Sequence, residues 1–379
     1  MVSGWIFCRE LNWSLIMQIN QIHLKNFKGF DDKTFQFNPQ FNVLIGDNGT
    51  GKTAILDALA VSVSSYLLGI GQAQARGILK EEVRRQDFGD SLEPQVPVII
   101  STCGEIENQK IQWQRVKTSL EGRTTVKEAK QLIEIAKSHN QQVSEGKPVI
   151  LPVIAYHGTG RLWKERRQTL NTRPKASRMS GYFNSLEPVS SSKIFFEWFK
   201  TMEIAAIQKK IETTRVKVVK EAIINCIPDL ETVFFDVIED TLASVKIERD
   251  KRYTLHYDLL SDGFKNMIGM VTDIAYRCVT LNPHLNEQVL EKTDGIVLID
   301  EIDLHLHPKW QKRIINDLKR NFHSIQFIAT THSPFIVQSL QSDEVINLDI
   351  AFPDLMTYSY IKKIEPQNKF GTKINPAAK

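Results

Sequence analysis

Cysteines are few and long apolar runs are missing in this sequence of 379 residues. Its four cysteines stand far apart, with no C-x-x-C pair and no cysteine–histidine spacing typical of zinc sites. This usage excludes a disulfide scaffold and favours reduced thiols in a cytoplasmic protein. No run of about 18 uncharged apolar residues occurs, so we expect no membrane-spanning segment.

A strong excess of one charge is also missing. Lysine and arginine total 48 and aspartate and glutamate 44, a net charge of +4, which permits contact with a polyanion without requiring it. Hydrophobic residues make up 42% of the chain, an ordinary value for a globular protein, so one large domain or two medium ones can form. No internal repeat or low-complexity tract is visible. Residues 1–16 lack the apolar centre of a signal peptide, and we expect an extension outside the fold.

The strongest motif is a glycine-rich stretch that fits the phosphate-binding pattern G-x-x-x-x-G-K-[ST]. Its residues are Gly46, Asp47, Asn48, Gly49, Thr50, Gly51, Lys52 and Thr53. The apolar run 41–45 before it predicts a buried strand, and the pattern from Thr53 to about Leu68 predicts a helix. Glycines let backbone N–H groups point at phosphate oxygens, and the start of the helix adds partial positive charge. A plain turn is the alternative, which this strand–loop–helix order disfavours.

Two side chains of this loop have specific chemistry with ATP. Lys52 can reach the β- and γ-phosphates, and the Thr53 hydroxyl can hold Mg²⁺. Farther along, the apolar run 295–299 predicts a buried strand that ends in Asp300 and Glu301. An acid at this place can complete a magnesium site, and a second one can take a proton from attacking water. Two solvated acids are the alternative.

Histidines follow two of the predicted strands. His305 and His307 come soon after Asp300, and no matching ligand set argues for zinc, so structural or dimer-contact roles are favoured. His332 follows the predicted strand 325–330 and can hydrogen-bond a γ-phosphate. Such a histidine alone is more simply structural, but the order of the motifs favours function.

A predicted helix opens at Ser261, with Gly263 in its first turn, and ends at Asn282. A serine and a glycine at a helix N-terminus can bind an anion, although serine is also a common N-cap. The predicted strand 149–156 runs into the turn His157–Arg161. This turn is either a nucleotide-facing loop or a tight turn with a surface arginine.

Other segments leave alternatives open. Phe27 or Phe30 can stack on adenine or simply pack. The stretch Arg161–Arg178 holds seven lysines and arginines and one glutamate, and is either a contact for nucleic acid or a partner, or a solvated basic loop. The polar segment Gly71–Glu93 is expected to be a mobile helix or a lid. Helices are predicted over three further ranges, 125–139, 191–222 and 308–322.

The order of these motifs is that of an ABC-type ATPase: phosphate loop, Ser-x-Gly helix, strand with two acids, strand with histidine. Over about residues 17–350 the chain resembles the branch of this class that contains RecF, SMC and OLD-family heads. The segments 156–163, 260–263 and 298–308 resemble bacterial ATP-binding proteins that include the ATPase subunit of the Septu anti-phage system. The resemblance implies an α/β P-loop NTPase, an ABC-ATPase head with a mixed β-sheet and a helical lobe.

The resemblance also implies roles by position. Lys52 and Thr53 would bind phosphate and magnesium, Asp300 would complete the magnesium shell, and Glu301 would polarise water. His332 would sense the γ-phosphate. Ser261 and Gly263 would reach the nucleotide of a second subunit, so that two ATP molecules lie between two copies of the chain. The turn His157–Arg161 stands in for the usual glutamine loop, and Phe264 stands where transporters commonly have glutamine.

We therefore expect an ATPase head divided into five parts. They are the extension 1–16, a first ATPase lobe 17–165, a helical lobe 166–290, a second ATPase lobe 291–350 and a tail 351–379. The implied function is a homodimeric, ATP-controlled clamp or sensor that regulates a separate HNH-type nuclease in anti-phage defence. A RecF-like DNA-binding ATPase in recombination or repair and the ATPase subunit of a transporter are the alternatives. Nucleic-acid contact and a higher homo-oligomer stay open.

Overall fold

A computed structural model describes most of the chain. The described ranges are 17–71, 75–162, 177–187, 192–209, 213–227, 230–248 and 251–349. The predicted extension, the whole of the predicted tail, and residues 163–176 of the basic loop lie outside these ranges.

The described residues form fourteen strands and nine α-helices. The strands are β1 (Met17–Phe27), β2 (Phe30–Gln36), β3 (Phe41–Ile45), β4 (Arg85–Asp87), β5 (Leu92–Pro94), β6 (Val98–Ile106), β7 (Gln109–Lys117), β8 (Val153–His157), β9 (Leu230–Asp236), β10 (Thr241–Glu248), β11 (Lys251–His256), β12 (Gly295–Ile299), β13 (Ile325–Thr330) and β14 (Val345–Asn347). The helices are α1 (Lys52–Ile70), α2 (Lys130–Ser144), α3 (Ser192–Lys209), α4 (Thr214–Cys226), α5 (Asp262–Leu281), α6 (Val289–Lys292), α7 (Pro308–Gln311), α8 (Ile314–Asn321) and α9 (Pro334–Val337).

A parallel sheet of five strands forms the centre of the fold. Its strand order is β14-β3-β13-β12-β8, and each neighbouring pair is parallel. Every residue of β12 and β13 is buried, as expected for parallel strands that are covered on both faces. A second sheet, in the order β2-β1-β6-β7, is antiparallel. The two sheets together supply the parallel and antiparallel strands that the sequence predicted for an α/β P-loop fold.

Helix α1 lies between these two sheets and packs against strands of both. By length and composition alone this 19-residue helix, with a mean hydropathy of 1.6, is apolar enough to cross a membrane, but 89% of its most apolar window is buried inside the protein. Its buried residues lie all around the helix, which explains why its sequence is apolar on nearly every side. The helix is thus the core element that carries the phosphate loop at its start.

A smaller lobe follows in the chain. Helices α3 and α4 pack against each other and against β9, which belongs to a three-stranded antiparallel sheet in the order β11-β10-β9. Helix α4 also packs against α5, which in turn contacts β8 of the parallel sheet. Helix α5 therefore joins this lobe to the nucleotide side of the fold.

Two predicted helices differ from the structure. The predicted helix 308–322 is two helices, α7 and α8, because the Arg313 N–H bonds back only three residues, to the Trp310 carbonyl, and this tight turn ends α7. The range predicted as one helix, 191–222, holds both α3 and α4, and α4 begins after Thr213, whose backbone is extended. In each case an apolar pattern that continues across the break concealed it.

The segment predicted as a mobile helix or lid is anchored instead. Beyond residue 75 it contains the β4–β5 hairpin and no α-helix among its described residues. Arg76 bonds to Asp57 of α1 and to Glu82, at 2.8 and 2.7 Å, and both carboxylates are largely buried. These charged residues therefore form a partly buried ion-pair cluster with α1, which their polarity alone did not reveal.

Candidate nucleotide-binding site

The predicted site residues, apart from Ser261 and Gly263 at the start of α5, follow four neighbouring strands of the parallel sheet. Strand β3 leads into the phosphate loop, β13 into His332, β12 into Asp300 and Glu301, and β8 into the turn before Arg161. Because parallel strands end at the same edge, these segments share one side of the sheet, where open α/β sheets bind ligands. Strand β13 lies between β3 and β12, so the segment that holds His332 is placed between the loop and the acids.

The phosphate loop is shaped by glycines in left-handed conformations. The φ angles of Gly49 and Gly51 are 87° and 96°, and a Cβ on Gly51 would lie 2.6 Å from the Phe30 ring. The Lys52 ammonium donates to the carbonyls of Gly46 and Asp47 at 2.7 and 2.8 Å. Burial lowers the pKa of Lys52, opposed by nearby carboxylates. The lysine is thus held inside the loop that the sequence predicts for phosphates.

Oxygen groups from three elements meet beside the loop. The Thr53 hydroxyl lies 3.0 Å from Oδ2 of Asp300, and the Thr330 hydroxyl donates to Oδ1 of Asp300 at 2.7 Å. The Asp300 side chain is almost fully buried. A hydroxyl and a carboxylate are the hard oxygen ligands that Mg²⁺ takes in proteins, so Thr53 and Asp300 fit the predicted metal. Thr330 is the partner that the sequence did not predict.

Glu301 has an unusual backbone. Its φ angle is 50°, in the left-handed region that costs about 1–2 kcal/mol for a residue with a side chain. Three hydrogen bonds hold this shape: its N–H donates to the Thr330 hydroxyl at 2.7 Å, and its carbonyl accepts from the Leu304 N–H at 2.9 Å and from the Arg161 guanidinium at 2.8 Å. Strained residues of this kind cluster at functional sites. The structure therefore fixes the backbone that carries the predicted general base.

Arg161 makes contacts that the sequence did not predict. Its guanidinium donates to the carbonyls of Gly158, Asp300 and Glu301 at 2.9, 2.7 and 2.8 Å, and its Nε donates to the Asn266 side chain. Burial lowers the pKa of Arg161 to about 10, while the nearby carboxylates oppose that shift. In this structure Arg161 is therefore bound to its own chain, holding the turn that carries the two acids, and the predicted nucleotide contact stays a prediction.

Ser261 and Gly263 differ in exposure. Ser261 is the exposed N-cap of α5, and its hydroxyl forms no capping hydrogen bond, which leaves it available to a second molecule. Gly263 is buried, and a Cβ there would lie 2.5 Å from the carbonyl oxygen of His305. Close packing within the chain is therefore one reason for a glycine here. The nucleotide contact that the resemblance implies would be a second reason.

The structure also shows where the predicted site histidines and the two phenylalanines lie. His332 is exposed at the end of β13. His307 accepts a hydrogen bond from the Lys309 N–H at the start of α7, as in a structural role. Among the described residues no group of three or more His, Cys, Asp or Glu is arranged for a metal. Phe27 is fully buried and packs, whereas Phe30 covers the phosphate loop at Gly51.

Asp349 was missed by the sequence reasoning. Its carboxylate accepts from the Asp47 N–H at 2.8 Å, and it is the strongest of the charges that act on Lys52. The residue follows β14, which pairs with the strand before the phosphate loop. A lone aspartate 302 positions away carries no signal in the sequence that would link it to this loop.

His157, at the end of β8, is buried without a hydrogen-bond partner for either ring nitrogen. Its Nε2 lies 3.5 Å from the Asp273 carboxylate, which is itself bound by Arg277 at 2.8 Å. Burial lowers the pKa of His157 from 6.5 to about 4. The folded protein thus keeps this ring neutral at pH values where the unfolded chain protonates it.

We expect this histidine to destabilise the fold in acid. Its contribution is complete above pH 6.5 and is lost as the pH falls toward 4, by up to about 3 kcal/mol, because the unfolded state binds the extra proton. Urea unfolding of wild type and of the ring-sized variant His157→Phe, at pH 7 and pH 4.5, measures the difference. The variant should lose less stability between the two values. An equal loss in both proteins would contradict the buried neutral ring.

The fold and this site define the class of protein. A parallel sheet, a phosphate loop after β3 and two acids after β12 are those of a P-loop ATPase. A family model described as an AAA domain matches residues 21–231. A second AAA-domain model, whose description adds an AbiEii toxin and a Type IV TA system, matches residues 128–338. The chain belongs to this family of AAA-domain ATPases.

Similar proteins extend over most of the chain. The "Retron Ec83 probable ATPase" of Escherichia coli is 30% identical, over 87% of this chain and 71% of the relative. The "Septu protein PtuA" of Bacillus thuringiensis is 24% identical, over 88% of this chain and 76% of the relative. Among solved structures, the SMC head bound to the C-winged helix domain of ScpA aligns with a TM-score of 0.51 and 16% identity, over 87% of this chain and 94% of that one. This last similarity shows the fold alone.

Proposed function

We propose that this chain is a cytoplasmic, Mg²⁺-dependent ATPase that closes a homodimer around two ATP molecules and so works as a clamp or sensor. The clamp would regulate a separate HNH-type nuclease in anti-phage defence. The observation that carries the ATPase part is the convergence of Thr53, Asp300 and Thr330 beside the phosphate loop. The family match supports the same activity.

The protein's own residues divide the chemistry. Lys52 and the loop N–H groups bind the β- and γ-phosphates, and Thr53 and Asp300 hold the metal. When bound, Mg²⁺ neutralises charge that develops on the phosphate oxygens. Glu301 orients the attacking water and takes its proton. His332, exposed at the end of β13, hydrogen-bonds the γ-phosphate.

The dimer part of the proposal depends on Ser261. Its hydroxyl is exposed at the N-terminus of the 20-residue helix α5 and is free of a capping bond. Such a helix end favours an anion, and the γ-phosphate of a partner's ATP is the anion that the resemblance implies. Each site would then be completed by the neighbouring copy, with the ATPase lobes 17–165 and 291–350 and the helical lobe 166–290 acting as the working parts.

The defence role depends on similarity. Two of the relatives are named as a retron ATPase and a Septu protein, and they match most of this chain. We infer from them that ATP binding and hydrolysis control a nuclease encoded with this chain. The sequence-level alternative of direct DNA binding is centred on the basic loop, most of which lies outside the described residues.

The activity is tested with the purified chain, ATP and Mg²⁺. Hydrolysis should stop when EDTA removes the metal. Lys52→Ala should weaken ATP binding about 10- to 100-fold, the cost of a charge-assisted contact. Lys80→Ala is the matched control, because Lys80 is exposed and its ion pair among the described residues is with the exposed Glu121.

The same two variants test the defence role. The chain and its neighbouring genes are expressed together in cells that are then infected with phage. Plaque numbers should rise to those of cells without these genes when Lys52 is replaced, and should stay low when Lys80 is replaced. Hydrolysis that survives Lys52→Ala would contradict the ATPase. Protection that survives it would contradict nucleotide control of the effector.

A further inference from the structure

The helix that begins at Ser261 is bound to the turn that carries Glu301 within the same chain. Asn266, on the second turn of α5, is 3% exposed, and its Nδ2 donates to the Leu304 carbonyl at 2.7 Å. One turn earlier on the same helix, the buried Gly263 lies against the backbone of His305. The first two turns of α5 therefore pack directly on the segment 301–305.

Arg161 completes this connection. Its Nε donates to Oδ1 of Asn266, and its two terminal nitrogens donate to the carbonyls of Asp300 and Glu301. One rigid, planar guanidinium therefore joins the side chain of a residue on α5 to the backbone of both acids. Asn266 is therefore connected to this turn directly, through the Leu304 carbonyl, and indirectly, through Arg161.

The backbone at Glu301 is well suited to respond to such a connection. Its left-handed φ of 50° is not an intrinsic preference of glutamate and depends on the bonds around it. Arg161 supplies one of the bonds to its carbonyl, at 2.8 Å. A small displacement of α5 would therefore change the direction of the Glu301 carboxylate without touching the phosphate loop.

We propose that Arg161 and Asn266 are positioning residues that couple α5 to the catalytic turn, so that seating Ser261 on the partner's nucleotide orients Glu301 at the chain's own site. This inference rests on the proposed ATP-bound dimer. Since Ser261 of each copy serves the other copy's site, the coupling makes hydrolysis at the two sites interdependent. Coupling between sites in proteins typically changes an equilibrium about 5- to 150-fold.

The test uses Asn266→Ala, Arg161→Lys and the conservative Asn266→Asp. Alanine removes both contacts of Asn266, and aspartate keeps an acceptor for Arg161. Lysine keeps the positive charge of Arg161 but cannot donate to several acceptors at once as the planar guanidinium does. For each protein we would measure thermal stability, ATP affinity with a fluorescent ATP analogue, and the mass in ATP with the Glu301→Gln change added. We would also measure kcat and the Hill coefficient of hydrolysis against ATP concentration.

We expect ATP affinity and the ATP-dependent mass to stay near wild type in all three. The kcat of Asn266→Ala and Arg161→Lys should fall about 5- to 150-fold, the range of such couplings, and their Hill coefficients should fall toward one. Asn266→Asp should keep more of the wild-type kcat and Hill coefficient than Asn266→Ala does.

Asn321→Ala is the matched control, because Asn321 is also a buried asparagine bonded to a carbonyl and lies on α8. It should lower thermal stability but leave the Hill coefficient unchanged.

Two results would overturn the inference. One is a dimer that forms with ATP while Asn266→Ala and Arg161→Lys keep the wild-type kcat and Hill coefficient. The other is a parallel loss of ATP affinity, dimer mass and thermal stability in these variants, because that pattern belongs to a purely structural role. If the single variant Glu301→Gln forms no dimer in ATP, the proposed function itself fails. That result differs from the two results that would overturn the inference.

Discussion

Glu301→Gln should bind ATP as tightly as wild type and hydrolyse it about 10²- to 10⁴-fold more slowly, the loss typical of a positioned base. The substitution is nearly isosteric, and the hydrogen bonds that hold this turn use the backbone of Glu301: its N–H to Thr330 and its carbonyl to Arg161 and Leu304. The strained backbone is thus preserved while the carboxylate that takes the proton is lost. Single-turnover hydrolysis and equilibrium binding of ATP measure the two effects separately.

Glu239→Gln is a matched control for this variant. Glu239 is an exposed glutamate in the turn between β9 and β10, and its replacement should leave both quantities unchanged. If Glu301→Gln hydrolysed ATP at the wild-type rate, another group would have to activate water. If it lost ATP binding as well, the residue would act on the pocket as a whole and not on the proton transfer.

Ser261→Arg should abolish ATP-dependent association while leaving the fold and ATP binding intact. The exposed serine hydroxyl makes no capping bond, so the monomer loses no described hydrogen bond when it is replaced. In the dimer, a long side chain would occupy the space of the partner's phosphate. Hydrolysis should then fall with association, because neither site is complete. Light scattering with and without ATP, together with ATP binding, measures the two outcomes.

Ser342→Arg provides the control for added bulk and charge. Ser342 is exposed and precedes β14, which runs parallel to β3. It therefore lies near the N-terminal ends of the strands, whereas the phosphate loop lies at their C-terminal ends. This variant should associate in ATP as wild type does. Association that persists in Ser261→Arg would show that Ser261 does not lie at a contact between copies.

The contiguous motifs were the predictable part of the site. The phosphate loop, the acids after β12 and the histidine after β13 each combine an apolar strand with a chemical signature in neighbouring residues, and the structure has a strand before each one. Their meeting at one edge follows from parallel pairing, which strands separated by long crossovers favour. The order of these motifs along the chain supported the family resemblance.

The supporting contacts were not predictable. Arg161 and Asn266 are 105 positions apart, and Arg161 and Glu301 are 140 apart. Arg161 reaches Glu301 through a backbone carbonyl, which every residue type has, so no pattern of side chains announces the contact. The break between α7 and α8 was missed for a related reason: Trp310, Ile314 and Leu318 keep the four-residue spacing of one helix across it.

Charge alone was also a poor guide. The segment after α1 is rich in arginine and glutamate, which suggested mobility, yet Arg76 binds two carboxylates that are largely buried. A sequence shows that charges are present but not that they are paired, because the partner Asp57 lies on α1. Burial and pairing are properties of the tertiary fold.

In the proposed dimer, each ATP site needs residues from two copies of the chain. Sedimentation velocity of Glu301→Gln with ATP and Mg²⁺ tests it most directly, since this variant should keep the closed state. We predict a species of twice the chain mass in ATP that returns to the single-chain mass when ATP is removed or when Ser261→Arg is added. If the variant is saturated with ATP and keeps the mass of one chain, the proposed ATP-bound dimer is wrong.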